Sequence, residues 1–182
     1  LIDIGGESTR PGASPPTETE EAGRVLPVLE AIQARFDIPI SVDTSTPSVM
    51  AASVSLKVAM INDVRAFARP GALEAVGDDV MLAVMHMLGT PASMQDDPQY
   101  QDVVREVDGF FLDRLAALQD FGIERARIML DPGFGFGKTL AQNFNLIQSL
   151  DVFRRHGCPI LIGLSRKRSI QAMGRDVLAG SV

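Results

Sequence analysis

Ile128-Met129-Leu130-Asp131-Pro132-Gly133-Phe134-Gly135-Phe136-Gly137-Lys138 joins a short apolar run to a carboxylate and follows it at once with alternating glycines and aromatics. The apolar run reads as a buried strand, and Pro132 with Gly133 stops it, so Asp131 stands at the carboxyl end of that strand. Alternating Gly and Phe then supplies backbone that can approach a ligand closely and ring faces that can pack on a flat one.

The same succession recurs outward from this stretch in both directions. Leu1-Ile2-Asp3-Ile4 leads into Gly5-Gly6-Glu7-Ser8-Thr9-Arg10-Pro11-Gly12, Pro39-Ile40-Ser41-Val42 into Asp43-Thr44, and Val58-Ala59-Met60-Ile61 into Asn62-Asp63. Val80 to Met85 ends in His86, and Ile160-Leu161-Ile162-Gly163-Leu164 ends in Ser165-Arg166-Lys167. Between these runs the spacing predicts helices. Thr17-x-x-Glu20 has the form of a capping box and opens a helix over about 17–35, and Thr46-Pro47 opens a short one. Pro70 to Val76 is a weaker case. Phe110, Phe111, Leu115 and Leu118 stripe a helix over about 102–121 closed by Gly122, and Phe144, Ile147, Leu150 and Phe153 stripe another before Gly157.

Strand alternating with helix means a parallel sheet covered by helices. An open doubly wound sheet and a closed (β/α)₈ barrel both have that alternation, but an open sheet gathers its ligand groups at one switch point. Six polar strand ends favour the α/β TIM (β/α)₈ barrel. The chain is expected to be one barrel domain over residues 1–182, an incomplete segment lacking about the first and last strands and inactive by itself.

Net charge is −6, which argues against nucleic acid or an anionic membrane as main partner. No apolar run approaches the roughly 20 residues of a membrane span. Cys158 is the single cysteine, so no internal disulfide and no zinc motif is expected, and it reads as inert packing. With two histidines and no His-x-x-x-His pair, no metal-ligating residue is assigned. His156 reads as a surface residue, and Lys138 as solvated at its loop end.

Asp3 to Gly12, Ser41-Val42-Asp43-Thr44, Ile61-Asn62-Asp63-Val64, Met85-His86 with Gly89 and Pro91, Asp131 to Lys138, and Ser165-Arg166-Lys167 together resemble, in order, the successive signatures of the dihydropteroate synthase family. That resemblance implies a cytoplasmic transferase of folate biosynthesis. It would join 6-hydroxymethyl-7,8-dihydropterin pyrophosphate to p-aminobenzoate, releasing pyrophosphate, with no nucleic acid or membrane partner. It implies a homodimer when complete. It also implies a magnesium ion, whose main linked residue, an asparagine, is expected in a strand preceding this sequence.

By the same resemblance Asp131 reads the pterin amine and ring N–H, Asn62 and Asp43 read other ring heteroatoms, and Lys167 donates to the carbonyl side. Thr9 and Pro11 with Phe136 and Ser165 form the aminobenzoate pocket, and Arg10 acts on diphosphate and carboxylate. Arg10 and Lys167 are therefore the expected catalytic cations. Asp63 reads as the turn member of its pair, Met85 as packing under the ring, and His86 as divided between core and site. A pterin-binding methyltransferase and a non-catalytic pterin-binding partial barrel are the alternatives.

Overall fold

A residue period of two decides which side chains meet helices and which meet ligand, because successive strand residues point to opposite faces. The computed structural model describes residues 1–9, 13–90, 94 and 98–164. Among them, strands β1 (Ile2–Gly5), β2 (Ile40–Asp43), β3 (Met60–Asp63), β4 (Met81–Met85) and β5 (Ile128–Asp131) alternate with helices α1 (Glu18–Gln33), α2 (Pro47–Ser55), α3 (Ala72–Ala75) and α4 (Val103–Asp120). Helices α5 (Leu140–Gln148) and α6 (Leu150–Arg154) follow β5.

All neighbouring strands are parallel, and their order in space is their order in the chain. A doubly wound sheet reverses direction at a switch point. Unreversed order is the winding of a (β/α)₈ barrel, and it decides between the two architectures left open by the alternation.

One face of the strands carries Ile4, Ile40, Val42, Ile61, Leu82, Val84, Ile128 and Leu130, all buried in a single core against the helices. Fully burying each such side chain contributes about 1.5–3 kcal/mol, so this face sets the register. The register pairs Gly5 with Asp43, Asp43 with Asn62, Asn62 with Ala83, and Met85 with Asp131. The opposite face therefore holds Asp3, Asp43, Asn62, Met85 and Asp131 together.

The helices form where their end signals predict. Thr17 caps α1 with both halves of its capping box made, and Val25 and Leu29 bury one stripe. The Asp102 side chain accepts from Val104 N–H and Arg105 N–H to start α4, which buries Val103, Val107, Phe111, Leu115 and Leu118. Gly122 then ends it at φ +99°, a left-handed conformation open to glycine.

Two expectations are corrected. The apolar stripe from Phe144 to Phe153 is not one helix: α5 starts at a second capping box, Thr139 with Gln142, and Ser149 at φ −112° interrupts the coil before α6. The sixth apolar run contributes only a parallel bridge of Ile160 with Leu130, with Leu161 N–H donating to Leu130 O at 2.9 Å. Residues 161–164 carry no regular structure.

Candidate active site

Asp43 and Asn62 are lateral neighbours in register at the carboxyl ends of β2 and β3. The Asn62 side-chain amide donates to Asp3 Oδ2 at 3.4 Å, which orients it across the mouth of β1. Its Oδ1 is buried and has no protein partner, and a native fold seldom leaves a buried acceptor so.

Asp43 is only half-buried at its surface, but its carboxyl is enclosed and faces other acids. Burial first, then Asp3, Asp63, Glu7 and Glu21, push it up to about 8. At pH 7 it therefore carries a proton more often than not.

Asp63 lies one residue further along β3 and so points to the helix side. Its carboxylate accepts from Ser45 Oγ, from Arg65 N–H at 2.9 Å and from Phe67 N–H at 2.7 Å. These bonds fold a turn in which Ala66 (φ +54°) and Phe67 (φ +59°) sit left-handed, a costly conformation for residues with a Cβ. Arg114 from α4 holds it from outside, donating to Ala66 O at 2.5 Å and Phe67 O at 2.6 Å. Burial raises the Asp63 carboxyl while Ser45 and the two backbone donors lower it.

Two charged groups that the sequence reading did not single out hold this half together. Arg65 makes a two-pronged ion pair with Glu7, at 2.9 and 2.7 Å, and also donates to Ser45 Oγ at 2.8 Å. Glu21, 1% exposed, accepts from Thr44 Oγ1 at 2.5 Å and Thr46 Oγ1 at 2.6 Å. Thr46 is the N-cap of α2 but makes no side-chain bond to that helix, because its hydroxyl is committed to Glu21. A signal for Glu21 existed: it stands four residues before Val25 and eight before Leu29, on the buried stripe of α1.

On the other side, Asp131 is buried at the end of β5 and its Oδ1 accepts from Gly133 N–H at 2.8 Å. The following loop is pressed onto the end of β4. A Cβ on Gly133, whose φ is +69°, would stand 1.8 Å from His86 O, and one on Gly137 would stand 2.8 Å from Leu88 Cβ. Asn143 of α5 braces the loop, its Oδ1 accepting from Gly135 N–H at 2.7 Å and its Nδ2 donating to Lys138 O at 3.2 Å. Phe134 is buried, whereas Phe136 stays half-buried.

Lys138 is not solvated. It is 3% exposed, and its Nζ lies 2.9 Å from Phe136 O, 3.1 Å from Gly133 O, 3.4 Å from His86 O and 3.0 Å from His86 Nδ1. The glycines at 133, 135 and 137 all have positive φ, which coils the chain so that Lys138 returns beneath it. His86 is 6% exposed, with Phe110 edge-on at 5.0 Å, and burial followed by Lys138 pushes its imidazole down to about 3. An ammonium only donates, so His86 Nδ1 accepts and Nε2 carries the ring proton.

His156 is also corrected: it is 8% exposed, not a surface residue, and its Nε2 lies 2.8 Å from Asp108 Oδ1 of α4. Cys158 is buried as expected. Of the predicted site residues, the structure gathers Asp43, Asn62 and Asp131 on one face, with Thr9 beyond the end of β1 and Phe136 beyond β5. Arg10, Pro11, Ser165 and Lys167 lie outside the described residues, as does Pro91. Among the described residues no three His, Cys, Asp or Glu side chains are grouped to hold a metal ion, and no helix is long and apolar enough to cross a membrane.

The family described as pterin binding enzyme matches residues 1–181 of the chain. The dihydropteroate synthase of Escherichia coli K12 is 46% identical over 171 residues, covering 93% of this chain and 61% of that protein. The chain thus spans about 61% of the length of that curated relative. In space it resembles the Yersinia pestis dihydropteroate synthase solved with a sulfonamide drug, with a TM-score of 0.91 and 42% identity over 100% of this chain and 68% of that one. It also resembles the Xanthomonas albilineans dihydropteroate synthase solved with 4-aminobenzoic acid, with a TM-score of 0.89 and 49% identity over 96% of this chain and 63% of that one.

Proposed function

The chain belongs to the pterin binding enzyme family, and from that premise we propose that the protein it represents is a dihydropteroate synthase, a transferase of folate biosynthesis. The observation that carries this reading is the convergence of Asp43, Asn62 and Asp131 on one strand face, with a buried Asn62 Oδ1 still lacking a partner.

A pterin edge offers an amine, a ring N–H, a carbonyl and ring nitrogens, and these three side chains supply a complementary set. Asp131, oriented by Gly133 N–H, accepts from the amine and ring N–H. Asn62 has both an acceptor and a donor to give. Asp43, pushed up to about 8, can donate its proton to a ring nitrogen, as a carboxyl kept neutral by its surroundings does. Thr9, Pro11, Phe136 and Ser165 line the aminobenzoate side. Arg10 and Lys167 are the cations, Arg10 for the diphosphate and carboxylate and Lys167 for the pterin carbonyl.

The bond from the pterin methylene to the diphosphate oxygen breaks, and the aminobenzoate nitrogen forms the new bond to that carbon and loses a proton. A methylene on an electron-rich pterin can carry the developing positive charge, so positioning and electrostatics do the work without a protein nucleophile. Bound magnesium would neutralise the departing diphosphate. Among the described residues no three His, Cys, Asp or Glu side chains are grouped to hold it. We read the protein as one barrel domain across residues 1–182, cytoplasmic and homodimeric, with small molecules as its substrates.

The test is dihydropteroate formation by the full-length protein from the pterin pyrophosphate and p-aminobenzoate with magnesium present. Turnover that falls in Arg10→Ala, with pterin affinity nearly kept, supports the assignment. Absence of product, or methyl transfer to a corrinoid instead, contradicts it.

A further inference from the structure

Resting on the pterin reading of Asp131, we infer that Lys138 is a positioning residue for that carboxylate, acting through the Gly133 turn and the carbonyl of His86 rather than by touching ligand. A buried ammonium is costly unless its donors are met, and here backbone carbonyls and an imidazole nitrogen meet them. Those acceptors are not from one place. Gly133 O and Phe136 O belong to the loop after β5, whereas His86 O and Nδ1 belong to the end of β4. Lys138 therefore clamps two strand ends whose polar groups must be in register for the site to work.

The clamp reaches Asp131 by a short path. Gly133 O accepts from Lys138 Nζ at 3.1 Å, and Gly133 N–H donates to Asp131 Oδ1 at 2.8 Å. His86 N–H donates to Asp131 O at 2.9 Å, so the backbone of Asp131 and the turn that aims its side chain share the same two neighbours. Without the ammonium, the carbonyls of His86, Gly133 and Phe136 lose the one cation they share, and Gly133 O keeps the Phe136 N–H. Repulsion then opens the turn, and Gly133 N–H leaves Asp131.

Phe136 sits in the same loop, its N–H donating to Gly133 O at 3.0 Å and its own O held by Lys138 at 2.9 Å. The same clamp thus also sets the ring that the aminobenzoate side requires. A role confined to stability would lower the melting temperature and leave the contribution of Asp131 to binding unchanged. A positioning role makes the two residues depend on each other.

The experiment is a double-mutant cycle on the full-length protein, comparing Asp131→Asn, Lys138→Met and the double variant by calorimetric titration with 6-hydroxymethyl-7,8-dihydropterin. Circular dichroism melting confirms folding in each case. Lys138→Met is expected to weaken binding roughly tenfold alone and less than about twofold in the Asp131→Asn background, because coupled sites are not additive. Equal losses in both backgrounds, or no loss in Lys138→Met, overturn the inference while leaving the pterin reading intact. Unchanged affinity in Asp131→Asn overturns the pterin reading and the inference with it. If Lys138→Met does not fold, Lys138→Gln, which retains amide donors, replaces it under the same criteria. If that variant does not fold either, Lys138 is a structural residue and the inference falls.

Discussion

The two halves of the polar face hold their carboxylates by opposite means. On the β1–β3 side, Asp3, Asp63, Glu7 and Glu21 lie close enough to raise Asp43, and order comes from charged ties: Arg65 to Glu7, and threonine hydroxyls to Glu21. On the β4–β5 side the order comes from close backbone packing, with Gly133 against His86 and a buried ammonium joining them. Charge makes the first half sensitive to single side chains. Packing makes the second half sensitive to volume.

The largest effect that would break this contrast is at Gly133. A methyl there meets a backbone carbonyl at 1.8 Å, with φ at +69°, so Gly133→Ala should cost about 4 kcal/mol or more or prevent folding. Gly6→Ala, on the charged side, meets Glu21 Cγ and Val25 Cγ2 at 2.9 Å, and side chains can shift, so about 1–3 kcal/mol is expected. Denaturant unfolding of both variants decides it, and a costlier Gly6→Ala would reverse the contrast.

Next in size is Glu21→Ala, which leaves the Thr44 and Thr46 hydroxyls without their acceptor and should cost about 2–3 kcal/mol in the same measurement. A loss below about 0.5 kcal/mol would show that the ties of the first half are dispensable.

The smallest effect is the dependence on pH, and its sign differs between the halves. His86 is lowered from 6.5 to about 3, so its contribution to stability is present above pH 6.5 and is lost as pH falls towards 3. Asp43 is raised from 3.8 to about 8, so its contribution is present below pH 3.8 and is lost as pH rises through 8. Between 3.8 and 6.5 the two slopes oppose, and from 6.5 to 8 the Asp43 slope stands alone. The wild type should therefore lose stability against Asp43→Asn over that upper range, by at most about 1.4 kcal/mol per pH unit and less where solvent reaches the carboxyl. Parallel curves for the two proteins would show that Asp43 is already ionised.

The residues proposed to face ligand were legible because they end apolar runs: Asp43, Asn62 and Asp131 each stand where a buried strand closes. Alternation of strand and helix left two architectures open, since it says nothing of strand order in space, and the six polar strand ends were what favoured the barrel. Lys138 escaped because its burial depends on three left-handed glycines folding the chain back on itself, a path no periodicity records. Glu21 stood in plain sight on the α1 stripe, but a carboxylate at a core position makes sense only once Thr44 and Thr46 are found facing it. Ser149 divides α5 from α6 although the apolar spacing runs through it, because spacing reports a face and not the continuity of the backbone.

The central claim is that Asp43, Asn62 and Asp131 together receive a pterin ring. A crystal structure of the full-length protein soaked with 6-hydroxymethyl-7,8-dihydropterin tests it most directly. The account predicts the ring on the polar strand face, with its amine and ring N–H within about 3.2 Å of the Asp131 carboxylate and a ring donor on Asn62 Oδ1. A pterin bound elsewhere, or seated there with Asp131 and Asn62 both out of hydrogen-bond reach, would contradict it.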